Sequence, residues 1–117
     1  MGNANSVATT DLQAGFWTGP PWHTTGTGIT LTTNTWNQIV GTYDGSTIKL
    51  YINNSMVSST SYSGTPTSSG LGIRLMRRWD NADYWGGRLA IVKIWNGDIG
   101  SGGVTSSWNA NKARFGL

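Results

Sequence analysis

A chain of 117 residues has room for one hydrophobic core. It holds 17 Gly, 7 Trp, 3 Pro and no Cys, only 11% of it is charged, and Glu is absent. That composition excludes disulfide scaffolds, cysteine zinc sites, thiol nucleophiles and helical bundles, and the formal charge of +3 reflects few charges rather than a basic run.

Residues 1–28 are rich in Gly, Thr and Asn, with Phe16, Trp17, Trp22 and His23 interspersed. A short strand is expected over Leu12 to Trp17. Gly19-Pro20-Pro21 breaks the pattern, because neither proline can donate to a ladder. Ile29 and Leu31 alternate with Thr30 and Thr32 and predict a strand over Gly28 to Thr32. Trp36 to Tyr43 reads as a strand and runs into Asp44-Gly45, a tight-turn signal. Ile48, Leu50 and Ile52 alternate with Lys49 and Tyr51 in the next strand, and Asn53-Asn54 supplies a turn. Met56 to Thr60 returns as a strand. Residues 61–70 form a polar loop, after which Leu71, Ile73 and Leu75 alternate with Arg74, Met76 and Arg78. Residues 79–87 read as a loop. Arg88 to Trp95 is the most apolar run and is expected to be a central strand with both faces covered. Val104 to Ala113 predicts a short helix capped by Thr105 or Ser106. Strands at this spacing, separated by turn signals, mean an antiparallel sandwich or barrel.

Several motifs recur in order: Trp36, Thr42-Tyr43-Asp44-Gly45, Leu50-Tyr51-Ile52-Asn53, Tyr84-Trp85-Gly86 and Ile94-Trp95-Asn96. As a set they resemble the C-terminal part of a laminin-G-like, concanavalin-A-like lectin/glucanase jelly roll. The resemblance covers about 80 residues well and residues 1–35 more weakly. The ending Asn109 to Leu117 is similar to tails of such modules in bacteriophage and marine microbial proteins. The resemblance implies an all-β antiparallel sandwich with a short C-terminal helix, residues 1–117 forming one domain without the family's N-terminal strands. It also implies that Trp36, Tyr43, Trp85 and Trp95 pack in the core, while Trp108 and Phe115 dock the helix and tail. Missing strands leave unpaired edges and an uncovered apolar face. A homo-oligomer in which a partner copy supplies the cover is therefore expected. The alternative is a minimal sandwich closed by residues 1–35.

Glucanases of this superfamily use two carboxylates about 5–5.5 Å apart. The five acids here, Asp11, Asp44, Asp80, Asp83 and Asp98, include no pair at alternate positions of a strand. His23 is the one histidine, and no G-x-S-x-G elbow is present. No enzyme is expected. Nor is a cofactor, although Asp80, Asn81 and Asp83 form a weak calcium set. The competing reading pairs those aspartates with Arg77, Arg78 or Arg88. Arg74, Arg77, Arg78 and Arg88 are diluted by Asp80 and Asp83, so no nucleic-acid partner is expected. No apolar run approaches the roughly 18–20 residues of a membrane span, so no membrane partner is expected. The start, MGNANSVATT, predicts no signal peptide in this chain.

Carbohydrate recognition needs an aromatic face against sugar C–H groups beside polar side chains for the hydroxyls. Arg77, Trp79, Asp80, Asn81, Asp83 and Tyr84 offer that mixture in one loop, and Trp17, Trp22 and His23 offer it in a second. Aromatic and Arg residues are equally at home in protein interfaces. The expected function is a non-enzymatic, lectin-like module for a glycan or polysaccharide that self-assembles on a virion or an extracellular surface. The alternative is a purely structural phage virion, decoration or tail-fibre protein that uses the jelly roll for assembly.

Overall fold

A computed structural model describes residues 12–16, 22–67, 70, 75 and 86–117. Five strands precede one helix: β1 (Gly15–Phe16), β2 (His23–Thr24), β3 (Ile39–Tyr43), β4 (Thr47–Ile52), β5 (Ser55–Ser61) and α1 (Gly100–Asn111), followed by a 3-10 turn at Lys112–Phe115. β1 and β2 form an antiparallel ribbon, and β3, β4 and β5 form an antiparallel sheet in that order. The fold is an all-β antiparallel sandwich with a short C-terminal helix, as the motifs predict.

The central sheet is built by local chemistry at its two turns. Ile52 pairs with Ser55 across Asn53-Asn54, and both asparagines take positive φ, 50° and 68°. That is the backbone of a two-residue turn whose twist matches the strands it joins. At the other turn Asp44 Oδ1 accepts hydrogen bonds from the Ser46 and Thr47 backbone N–H groups and from the Ser46 hydroxyl, at 2.8–2.9 Å. Gly45, at φ 94°, absorbs the reversal. The Ser46 N–H, the Ser46 hydroxyl and the Thr47 N–H, joined by Lys49 Nζ at 3.3 Å, hold the Asp44 carboxyl well below the usual carboxylate range. A depressed carboxylate stabilises the fold above its unfolded pKa, about 3.9, and loses that effect as pH falls towards the folded value. Asp44→Ala should therefore lower Tm at pH 7. The gap from the parent should shrink below about pH 4 and close in stronger acid, read by thermal melts across pH.

Alternation along β3 and β4 gives the sheet two faces, and different elements cover them. On one face Val40 and its cross-strand partner Tyr51 pack against Val104 of α1, with Ile99 beside them. On the other lie Gly41, Tyr43, Ile48 and Leu50, and the β1–β2 ribbon covers these. A Cβ placed on Gly41 would lie 3.0 Å from Ala14 Cβ, and the Phe16 and Tyr43 rings meet edge to face at 4.8 Å. The ribbon is anchored through Thr25, which is buried. Its Oγ1 accepts from the Ala14 N–H and its own N–H donates to the Ala14 carbonyl, while the Gly26 N–H reaches Ser58 Oγ on β5. Opposite Leu50 and Tyr51 the strand β5 carries a bulge, so Leu50 faces Ser58, Tyr51 faces Met56 and Val57 has no partner.

Three expectations are corrected. Gly28 to Thr32 is irregular, touching Leu12 through one backbone bond to the Ile29 carbonyl. Arg88 to Trp95 forms no strand: Leu89, Ile91, Val92, Ile94 and Trp95 are exposed. Hydrophobicity marks a run able to line a sheet, but a strand exists only where a neighbour supplies ladder hydrogen bonds. Among the described residues nothing pairs with this run. The alternating run Leu71 to Leu75 lies outside the described residues except for Leu75. The helix begins four residues before Val104, and neither Thr105 nor Ser106 caps it. Ile99 occupies the cap position, Gly103 N–H bonds to its carbonyl, and Asp98 Oδ1 accepts from Gly100 N–H at 3.1 Å. Gly100, Gly102 and Gly103 disfavour a helix, so the burial of Val104 against the sheet, rather than propensity, holds α1.

Candidate functional site

Among the described residues a cleft of about 800 Å³ runs along β3, within the roughly 300–1,000 Å³ typical of ligand sites. The run from Arg88 to Gly97 forms one wall, and α1 with its following 3-10 turn forms another. Trp36, Trp95, Trp108 and Phe115 present aromatic surface to it, and Asn37, Gln38, Asn96 and Asn111 present side-chain amides.

Local hydrogen bonds orient three of those amides, Asn37, Gln38 and Asn111. Asn37 Nδ2 donates to the Thr32 and Thr35 carbonyls at 2.9 and 3.2 Å. Asn53, in the β4–β5 turn, donates from Nδ2 to Asn37 Oδ1 at 3.2 Å and accepts from the Gln38 N–H at 2.9 Å. Gln38 Nε2 donates to Ser107 Oγ on α1 at 3.3 Å, which ties the strand to the helix across the cleft floor. Gln38 Oε1 is buried and has no donor among the described residues. Asn54 Oδ1 accepts from Thr105 Oγ1 at 2.9 Å, a second tie between turn and helix, and Asn111 Nδ2 bonds back to the Ser107 carbonyl.

The aromatic residues divide by exposure. Trp36 is 38% exposed and Trp95 43% exposed, which corrects their expected core placement. Among the described residues nothing pairs with Arg88 to Trp95, and no second sheet covers the two indoles. Phe115 docks on Trp36 with ring centroids 5.2 Å apart, as expected of the tail. Tyr43 packs in the ribbon interface. Its hydroxyl donates to the Gly64 carbonyl and accepts from the Gly64 N–H.

Of the sequence-level candidates, Arg77, Trp79, Asp80, Asn81, Asp83, Tyr84 and Trp17 lie outside the described residues, as does Trp85 of the expected core. Trp22 is largely exposed. His23 stacks on Tyr62 at 3.8 Å within a cluster that includes Phe16 and Tyr43, so one face of its ring is covered. The structure does not place His23 or Trp22 in the cleft lining. Sequence reasoning missed the cleft aromatics by assigning them to packing. The available signal was the dipeptide Trp-Asn at Trp36-Asn37 and Trp95-Asn96, which sets an indole beside an amide.

Among the described residues no group of three or more His or Asp could hold a metal ion, and no helix is long and apolar enough to cross a membrane. A family model described as concanavalin A-like lectin/glucanases superfamily matches residues 3–102. The match therefore takes in the segment before β3, where the motif resemblance is weaker, and ends in the first turn of α1. No curated protein and no solved structure matches the chain significantly.

Proposed function

The chain belongs to the concanavalin A-like lectin/glucanase superfamily, and from that premise we propose that it is a non-catalytic, lectin-like carbohydrate-binding module. The superfamily holds both lectins and glycosidases, so membership alone does not choose between them. One observation carries the proposal: the cleft combines the exposed indoles of Trp36 and Trp95 with the exposed amide of Asn96, beside Asn37, Gln38 and Asn111, whose amides are oriented by internal hydrogen bonds. Indoles offer apolar faces for pyranose C–H groups, and amides donate to and accept from hydroxyls. In support of this reading, the chain has no glutamate, and among the described residues the cleft lining holds no aspartate that could join an acid pair for glycosidic hydrolysis.

Titration of the full chain against a panel of polysaccharides tests this. Trp95→Ala should weaken binding by about tenfold or more, the scale of a buried tryptophan anchor. Trp22→Ala, outside the cleft, should leave it unchanged. No binding to any polysaccharide, or equal affinity for parent and Trp95→Ala, overturns the proposal. A second reading rests on the exposed Leu89, Ile91, Val92 and Ile94 and on the outer edge of β3, which pairs with no strand among the described residues. These favour self-assembly, with a partner copy adding a strand to the sheet, in the setting of a virion or extracellular surface. Light scattering on the same samples reads it: a multimer is expected, and a monomer mass at micromolar concentration removes it.

A further inference from the structure

Among the described residues the charged side chains lining the cleft are all of one sign. Arg88 and Lys93 stand on one wall and Lys112 on the other, and no Asp or Glu joins them among the described residues. The ion pair that the described residues do make, Lys49 with Asp44 at 3.3 Å, lies at the β3–β4 turn. Among the described residues Arg88, Lys93 and Lys112 make no ion pair with a carboxylate, whereas Lys49, a cation outside the cleft, does. Asp98, the acid nearest in sequence to Lys112, accepts from the Gly100 N–H at the start of α1, and Asp83, nearest to Arg88, lies outside the described residues.

A cleft with cations on both walls and low-dielectric aromatic surface between them concentrates anions, because field lines focus in a concave apolar cavity. A neutral sugar could accept hydrogen bonds from these three cations but would leave their charge uncompensated. A polymer carrying a carboxylate or sulfate on its sugar rings would satisfy them with charge-assisted hydrogen bonds, Arg88 binding in bidentate fashion and the lysines as point charges. We infer that the ligand of this cleft is an anionic glycan, with Arg88, Lys93 and Lys112 as its charge-reading residues. The inference rests on the carbohydrate-binding reading and narrows it to a substrate class.

Three polymers of one backbone separate the possibilities: dextran, carboxymethyl-dextran and dextran sulfate, titrated into the full chain at low and at physiological salt. Binding to the anionic polymers at least about tenfold tighter than to dextran is expected, with the preference shrinking as salt rises. Whether the carboxymethyl or the sulfate polymer binds more tightly identifies the anionic group. The variant Arg88→Gln/Lys93→Gln/Lys112→Gln should erase the preference. Arg114→Gln, outside the lining, should keep it, which separates a built site from general attraction to a cationic protein. Equal binding of dextran and its anionic derivatives, or a preference that survives the triple substitution, overturns the anionic assignment and leaves the glycan reading standing. Failure of these three and of the wider polysaccharide panel removes both.

Discussion

Leu50→Ala should cost about 2–5 kcal/mol of folding stability, in the upper part of that range. Leu50 is 1% exposed and lies at the centre of β4, on the face covered by the β1–β2 ribbon. The damage follows from what stands beside it. Its cross-strand neighbours are Gly41 on β3 and Ser58 on β5, and neither reaches far enough to fill the space a leucine leaves. The interface is already imperfectly filled, since a cavity lined by Ala14, Phe16, Gly41, Ile48 and Leu50 runs between ribbon and sheet. Truncation enlarges it, and the cost grows with residual cavity volume. Set against the roughly 5–15 kcal/mol of a typical domain, the loss is a large fraction of the total. Urea titration should show a lower midpoint at unchanged slope. Ile94→Ala, at a side chain 67% exposed, should change stability by less than about 0.5 kcal/mol.

Gly15→Ala should separate the ribbon, through sterics rather than lost burial. A Cβ at Gly15 would lie 2.2 Å from the His23 carbonyl oxygen and 2.8 Å from Thr24 Cα. Those are backbone atoms of the strand paired with it, so no rotamer change relieves the clash. The cost expected of overpacking is about 1–3 kcal/mol, with the Ala14–Thr25 hydrogen bonds lost as β1 moves away. Amide exchange at Thr25, whose N–H reaches the Ala14 carbonyl at 2.8 Å, reports that movement directly. Gly26→Ala is the control. Its added Cβ would meet the Ser58 hydroxyl at 3.3 Å, a movable group, and exchange at Thr25 should stay slow.

The central hairpins were legible in the sequence because their information is local. Asp44-Gly45 and Asn53-Asn54 determine their own turns, and the alternation of Ile48, Leu50 and Ile52 sets which side of the strand faces the ribbon. Arg88 to Trp95 was misread because a strand's existence depends on a partner that its own residues do not encode. The misassignment of Trp36 and Trp95 follows from the same cause: a tryptophan at a packing position is buried only if a second layer covers it, and the described residues supply none. The helix boundary was misplaced by weighting Val104 over Asp98, whose carboxylate receives the first free N–H of α1. The cleft itself was invisible to pattern reading, since it joins residues near position 37 to residues near position 111.

The way α1 is fastened has a thermodynamic consequence. One buried side chain, Val104, and the polar ties Gln38–Ser107 and Asn54–Thr105 hold a glycine-rich segment that would not persist as an isolated peptide. Detaching that segment exposes far less apolar surface than melting the β3–β5 sheet, so the cheapest excursion from the native state removes one wall of the cleft. A molecule bridging both walls must suppress that excursion. Part of its binding free energy then goes into holding the segment in place, and occupancy should raise the opening energy of the C-terminal region more than that of the strands.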